Sequence, residues 1–145
     1  MLKKTIKYTD LNGVKREEEY YFHLSKAELL DMELSKEGGF VETVMAIVKA
    51  KDNIAIYNIF KDLVYESYGE KSADGRSFLK FDENGHRLAD KFKQTEAYST
   101  IFTELATNDE LAAEFINGLI PADLAKEVSE QKSSNDKPKT AKKAK

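Results

Sequence analysis

From Phe40 onward the chain carries short apolar runs at helical spacing, each bounded by a capping residue or a glycine. This pattern confines the chain to a body of short, packed helices. Phe40, Val41, Val44, Met45, Ile47 and Val48 form the first stripe. Asp52 is placed to cap a second helix, with Ile56, Ile59, Phe60, Leu63, Val64 and Tyr68 along one side and Gly69 as its stop. Leu88, Ala89 and Phe92 suggest a short helix, and Thr95 precedes a clearer one holding Tyr98, Ile101, Phe102 and Leu105. Thr107-Asn108-Asp109-Glu110 has the capping-box pattern. The helix it opens carries Leu111, Ala112, Phe115, Ile116 and Leu119, and Pro121 after Gly118 stops it.

Ahead of the helices the periodicity is different. Thr5-Ile6-Lys7-Tyr8 alternates, Tyr20-Tyr21-Phe22-His23-Leu24 is rich in strand formers, and Asp10-Leu11-Asn12-Gly13 between them supplies a tight turn. A β-hairpin is expected. Ser25-Lys26-Ala27-Glu28 then reads as a capping box, with Leu24 and Leu29 as a hydrophobic staple and Gly38-Gly39 as the helix stop. The segment Gly69 to Phe81 is the longest interruption, a polar middle followed by Phe78, Leu79 and Phe81. The expected fold is mainly α: a compact bundle of about six short helices preceded by an N-terminal β-hairpin. Residues 1–24 form the hairpin, integral to the domain, and 25–130 the helical body. Residues 131–145 are a disordered tail, because Lys, Ser, Asn and Ala bury too little apolar surface to offset chain entropy.

At 145 residues the chain suits one domain with a tail. It has no cysteine, which excludes disulfides, thiolate nucleophiles and cysteine-ligated metals. The amino end lacks an apolar signal core, and no apolar run reaches the roughly 18 residues of a membrane span. No membrane association is expected. Residues 132–145 hold six lysines against Asp136, a charge of +5. Taken from the total of −3, this leaves −8 on the preceding body, which would repel nucleic acid; only the tail could attract it.

Signatures of catalysis are missing. His23 and His86 are isolated, without the spacing of a metal site. Glu17-Glu18-Glu19 and Asp82-Glu83 do not converge on one atom, since strand neighbours point to opposite faces, and the glutamates read as a solvated edge. In GEKSADGRS, Lys71 and Ser72 come before Gly75, the reverse of a phosphate-binding loop. Asp82-Glu83-Asn84-Gly85 does not continue into a calcium loop. No cofactor, metal or catalytic residue is assigned, and the chain is read as a non-enzyme. About six short amphipathic helices and a hairpin, with fifteen Tyr and Phe and no tryptophan in the chain, offer more apolar faces than one small core obviously needs, which points to a partner.

Four stretches together resemble one family. YYFHLSKAELLDMELSKEGG (20–39), SYGEKSADGRSFLK (67–80), FKQTEAYSTIFTELATND (92–109) and AAEFINGLIP (112–121) are similar to the tail assembly chaperones of siphophages, the phages with long non-contractile tails, and of related prophages. The resemblance implies binding to the tape measure protein in the host cell cytoplasm, keeping it soluble until tail tube subunits replace the chaperone, and absence from the mature virion. It also implies a programmed frameshift near the end of a shorter product, which Lys142-Lys143 would permit. The family carries no catalytic motif. Tyr68, Lys71, Phe78 and Phe81, around the polar turn, are the expected partner-binding residues. Two other readings stand beside this one: a nucleic-acid-associated phage regulator acting through the basic tail, and a structural tail component retained in the particle.

Overall fold

The computed structural model describes residues 1–35, 37 and 39–120. The expectations for Gly38, for Pro121 and for the tail lie outside the described residues. Six helices and a four-stranded antiparallel sheet make up the body, in the order β1 (Leu2–Thr9), β2 (Lys15–Phe22), α1 (Lys26–Ser35), α2 (Phe40–Ala50), α3 (Asn53–Ser67), β3 (Tyr68–Lys71), β4 (Phe78–Leu79), α4 (Leu88–Phe92), α5 (Glu96–Ala106) and α6 (Asp109–Leu119). The helices are as many as the sequence suggested. Helices predominate as expected, but the sheet is larger than one hairpin, running β1-β2-β3-β4, so strands hold a greater share of the described residues than a purely helical body would.

The first turn forms because Asp10 organises it. Its Oδ1 accepts the N–H groups of Asn12 and Val14, both at 2.9 Å, and Gly13 takes φ +79°. The strands continue through the acidic run to Phe22, in register Leu2↔Phe22 to Thr9↔Lys15. Glu17-Glu18-Glu19 lies on the part of β2 that pairs with β1 alone, since β2 meets β3 at Tyr21↔Gly69 and Phe22↔Tyr68. The outer strands of the sheet are β1 and β4. Glu18 accepts hydrogen bonds from the hydroxyls of Tyr8 and Tyr20, which hold its carboxyl below the usual range.

Gly69 has a different role from the helix stop read in the sequence. Ser67 ends α3 and Tyr68 enters β3 directly, so no glycine is needed for the exit. A Cβ at Gly69 would stand 2.4 Å from the Leu79 carbonyl oxygen and 2.5 Å from the Phe78 ring. The glycine lets β4 close on β3, in register Glu70↔Leu79 and Lys71↔Phe78. The polar interruption is thus a second hairpin. Asp82 closes a further turn as Asp10 does, its Oδ1 accepting from Asn84 and His86, both at 2.9 Å, with Gly85 at φ +82°.

Local signals explain the helix starts. Ser25 and Glu28 form the reciprocal capping box, at 3.0 and 3.1 Å. Asp52 accepts from Ala55 N–H at 3.2 Å, and Thr95 from Tyr98 N–H at 3.1 Å. The cap of α6 is Asn108, which accepts from Glu110 and Leu111; Thr107 belongs to the end of α5. The start of α2 is capped from outside by buried Glu33 of α1, whose Oε2 accepts the Val41 N–H at 2.7 Å. The core joins Ile6 and Phe22 of the sheet to Ile56, Phe60, Leu63 and Val64 of α3 and to Ala112, Phe115, Ile116 and Leu119 of α6. The stripes of α3 and α6 are therefore spent inside.

Candidate functional site

A groove of about 600 Å³ opens where α1, α2, α3, α4 and α5 converge. Met32, Phe40, Ile59, Leu63, Tyr65 and Tyr98 supply its apolar lining. Each follows from its place on an amphipathic helix: Ile59 and Tyr98 sit at the margins of their stripes, half-buried beside the fully buried Phe60 and Ile101. Lys61, Asp62, Glu66, Asp90 and Lys93 add charges of both signs.

The charges are held in place. The Tyr65 hydroxyl donates to Asp90 at 2.8 Å, which pushes its pKa up, and Lys93 Nζ lies 5.4 Å from the Tyr65 ring centre. Arg87 donates to the Glu66 carboxylate at 2.9 Å and to the Glu66 carbonyl at 3.1 Å. Its guanidinium lies 5.0 Å from the Tyr65 ring and 5.4 Å from that of Phe81. The buried Arg87 Nε has no hydrogen-bond partner among the described residues and is covered by these aromatic faces.

Of the residues singled out in the sequence, Lys71 and Phe81 are exposed and Phe78 is half-buried. Tyr68 is buried, its ring stacked on Phe92 at 4.0 Å and an interplanar angle of 2°, and burial pushes its hydroxyl up to about 12. It belongs to the core. Further apolar surface stands outside in pairs: Leu30 and Leu34 one turn apart on α1, Ile54 and Tyr57 on α3, and Leu79 with Phe81 beyond β3. The pairs on α1 and α3 lie off the long apolar stripes, and their spacing of four and three is the sequence signal that marks them.

His23 packs edge-on to Phe78 with ring centres 5.4 Å apart. Burial lowers its pKa, and the positive amino terminus and Lys80 act the same way, against Glu28. The folded form thus resists protonation that the unfolded chain accepts near 6.5. Stability should fall as pH drops through that value, and level off once pH passes below the folded pKa. Melting temperatures between about pH 7.5 and 5 will show this slope, and His23→Asn will flatten it.

Among the described residues no three His, Cys, Asp or Glu group to hold a metal, and no helix is long and apolar enough to cross a membrane. The groove combines an apolar lining with charges of both signs, and exposed apolar pairs stand elsewhere on the described surface. The described residues thus form a small body of helices on a four-stranded sheet with an open groove on its helical side. The family model for phage tail assembly chaperones matches residues 1–145, and the chain belongs to that family. Comparison with curated proteins and with solved structures gives no match. Such a chaperone works with tail proteins in the host cell during assembly, a role that calls for binding rather than catalysis.

Proposed function

We propose that the chain is a non-enzymatic chaperone of the tape measure protein, holding it soluble in the host cytoplasm and helping recruit tail tube subunits that then displace the chaperone from the assembling tail. The groove lined by Met32, Phe40, Ile59, Leu63, Tyr65 and Tyr98 is the observation that carries this reading. A long tape measure chain exposes apolar helical stripes before its tube exists, and such stripes aggregate. A groove between helices accepts one face of an amphipathic helix, and its open, partly polar lining suits release. Lys71, Phe78 and Phe81 form a second contact area, joined to the groove through Arg87 between Phe81 and Tyr65.

Co-expression tests the reading. The tape measure protein should move from the insoluble to the soluble fraction and co-purify with the chaperone. Ile59→Glu, which places a charge in the half-buried lining, should cut recovery at least ~10-fold while the circular dichroism spectrum stays folded. An insoluble tape measure protein that never co-purifies would refute the assignment. Phe81→Ala should reduce recovery by a smaller factor, ~3-fold, because its ring is more than half exposed.

A further inference from the structure

We infer that the outer edge of β1 is a second binding site, which takes up an extended, acidic segment of a partner protein as an added β-strand. It is separate from the helical groove and does not depend on the identity of that groove's occupant. Asp10 N–H donates to the Val14 carbonyl at 2.8 Å, and hydrogen-bonded pairs in an antiparallel ladder recur at every second residue. The even positions of β1 therefore bond to β2. Lys3, Thr5, Lys7 and Thr9 aim their N–H and C=O groups away from it, and no residue among those described takes up these groups. The other edge of β2 agrees with this phase, since His23 N–H donates to the Ser67 carbonyl at 2.8 Å.

Space for a strand lies along that edge. A groove of about 550 Å³ is lined by four consecutive β1 residues, Lys4 to Lys7, by Glu17 of β2, and by residues of α5 and α6 that include Glu104 and Leu111. Charge selects the occupant. On the exposed face of the sheet, Glu19 of β2 stands beside Lys3, with 3.4 Å between the charges, and Glu17 is the register partner of Lys7. A new strand beside β1 would continue this alternation with carboxylates opposite Lys3 and Lys7 and would turn its intervening side chains into the groove, toward half-buried Leu111. The pattern is acid-apolar-x-apolar-acid. A second copy of β1 would instead set lysine against lysine, because Lys3, Lys4 and Lys7 crowd the same strand. The lysines thus admit an acidic strand and turn away both a twin and a plain apolar one.

A fluorescein-labelled peptide containing Glu-Val-Thr-Val-Glu, flanked by serines, tests the site on the full chain by fluorescence anisotropy. Saturable binding is expected, weakening as salt rises, and at least ~10-fold weaker for a peptide with lysine in place of each glutamate. The double variant Lys3→Glu, Lys7→Glu should reverse that preference. Thr5→Pro removes an outward N–H on an edge strand, where proline is tolerated, and should abolish binding with the melting curve little changed. Hydrogen exchange should slow at Lys3, Thr5 and Lys7 when the peptide binds. No binding at millimolar peptide, equal binding of both peptides, binding unaffected by Thr5→Pro, or self-association through β1 in its place would each overturn the assignment.

Discussion

Phe22→Ala will destabilise the body by about 3–5 kcal/mol in chemical denaturation, enough to leave a domain of this size partly unfolded. Phe22 is fully buried and closes an aromatic cluster drawn from distant parts of the chain. Its ring meets Tyr68 at 5.8 Å, Phe92 at 6.1 Å and Phe115 at 5.3 Å, each edge-on, so truncation removes apolar burial and three favourable ring contacts together. Phe22→Leu retains most of the volume and should lose clearly less, about 1–2 kcal/mol. Equal losses for the two substitutions would show that the site collapses freely around the gap.

The second large effect belongs to Glu28, which does two jobs. One carboxylate oxygen accepts the Ser25 N–H that opens α1, and the other receives Lys80 Nζ at 2.6 Å, across 52 residues of sequence. Lys80 is only 8% exposed, so Glu28→Ala leaves a sheltered ammonium without its counter-charge as well as a weakened cap. Because the Glu28 side chain is itself 39% exposed, water relieves part of that cost, and a loss of about 2–3 kcal/mol is expected. Replacing both partners, Glu28→Gln with Lys80→Met, should recover most of it. Burial pushes the Glu28 pKa up, but the hydrogen bonds from Lys80 and Ser25 outweigh it and the folded value lies below 4.5. The contribution is therefore complete above that pH and lost as pH falls through the folded pKa, a slope that Glu28→Ala should remove from acid titrations followed by circular dichroism.

Whatever acts within four residues was legible in the sequence. The Ser25–Glu28 box, the Asp52 and Thr95 caps and the Asp10–Gly13 turn are local chemistry, and each stands where it was read. At α6 two candidate caps are adjacent, and Asn108 outcompetes Thr107 because its side chain reaches two free N–H groups. The second hairpin escaped notice because β4 has two residues and its pairing with β3 rests on Gly69, whose need is a close approach that local pattern does not record. One signal was available: Asp74-Gly75 sits in the turn that joins the two strands, where Ser72 N–H donates to the Ser77 carbonyl at 2.8 Å and Gly75 takes φ +73°. The groove was not legible, since its lining comes from residues at stripe margins on separate helices, and only packing brings these together. Tyr68, an aromatic beside a polar turn, reads as an exposed contact residue by sequence; the direct passage from α3 to β3 turns it inward.

Phe22, emerging early in synthesis, rests against Phe115 near the far end of the body, and Gly118 of α6 lies against the side chain of Leu2. The two extremities of the described chain therefore interlock. The ribosome delivers β1 and β2 first, yet Phe22 lacks its Phe92 and Phe115 neighbours until α4 and then α6 have been made. Folding cannot proceed by finishing the amino-terminal half and adding the remainder; the body closes like a clasp, in one late and cooperative step.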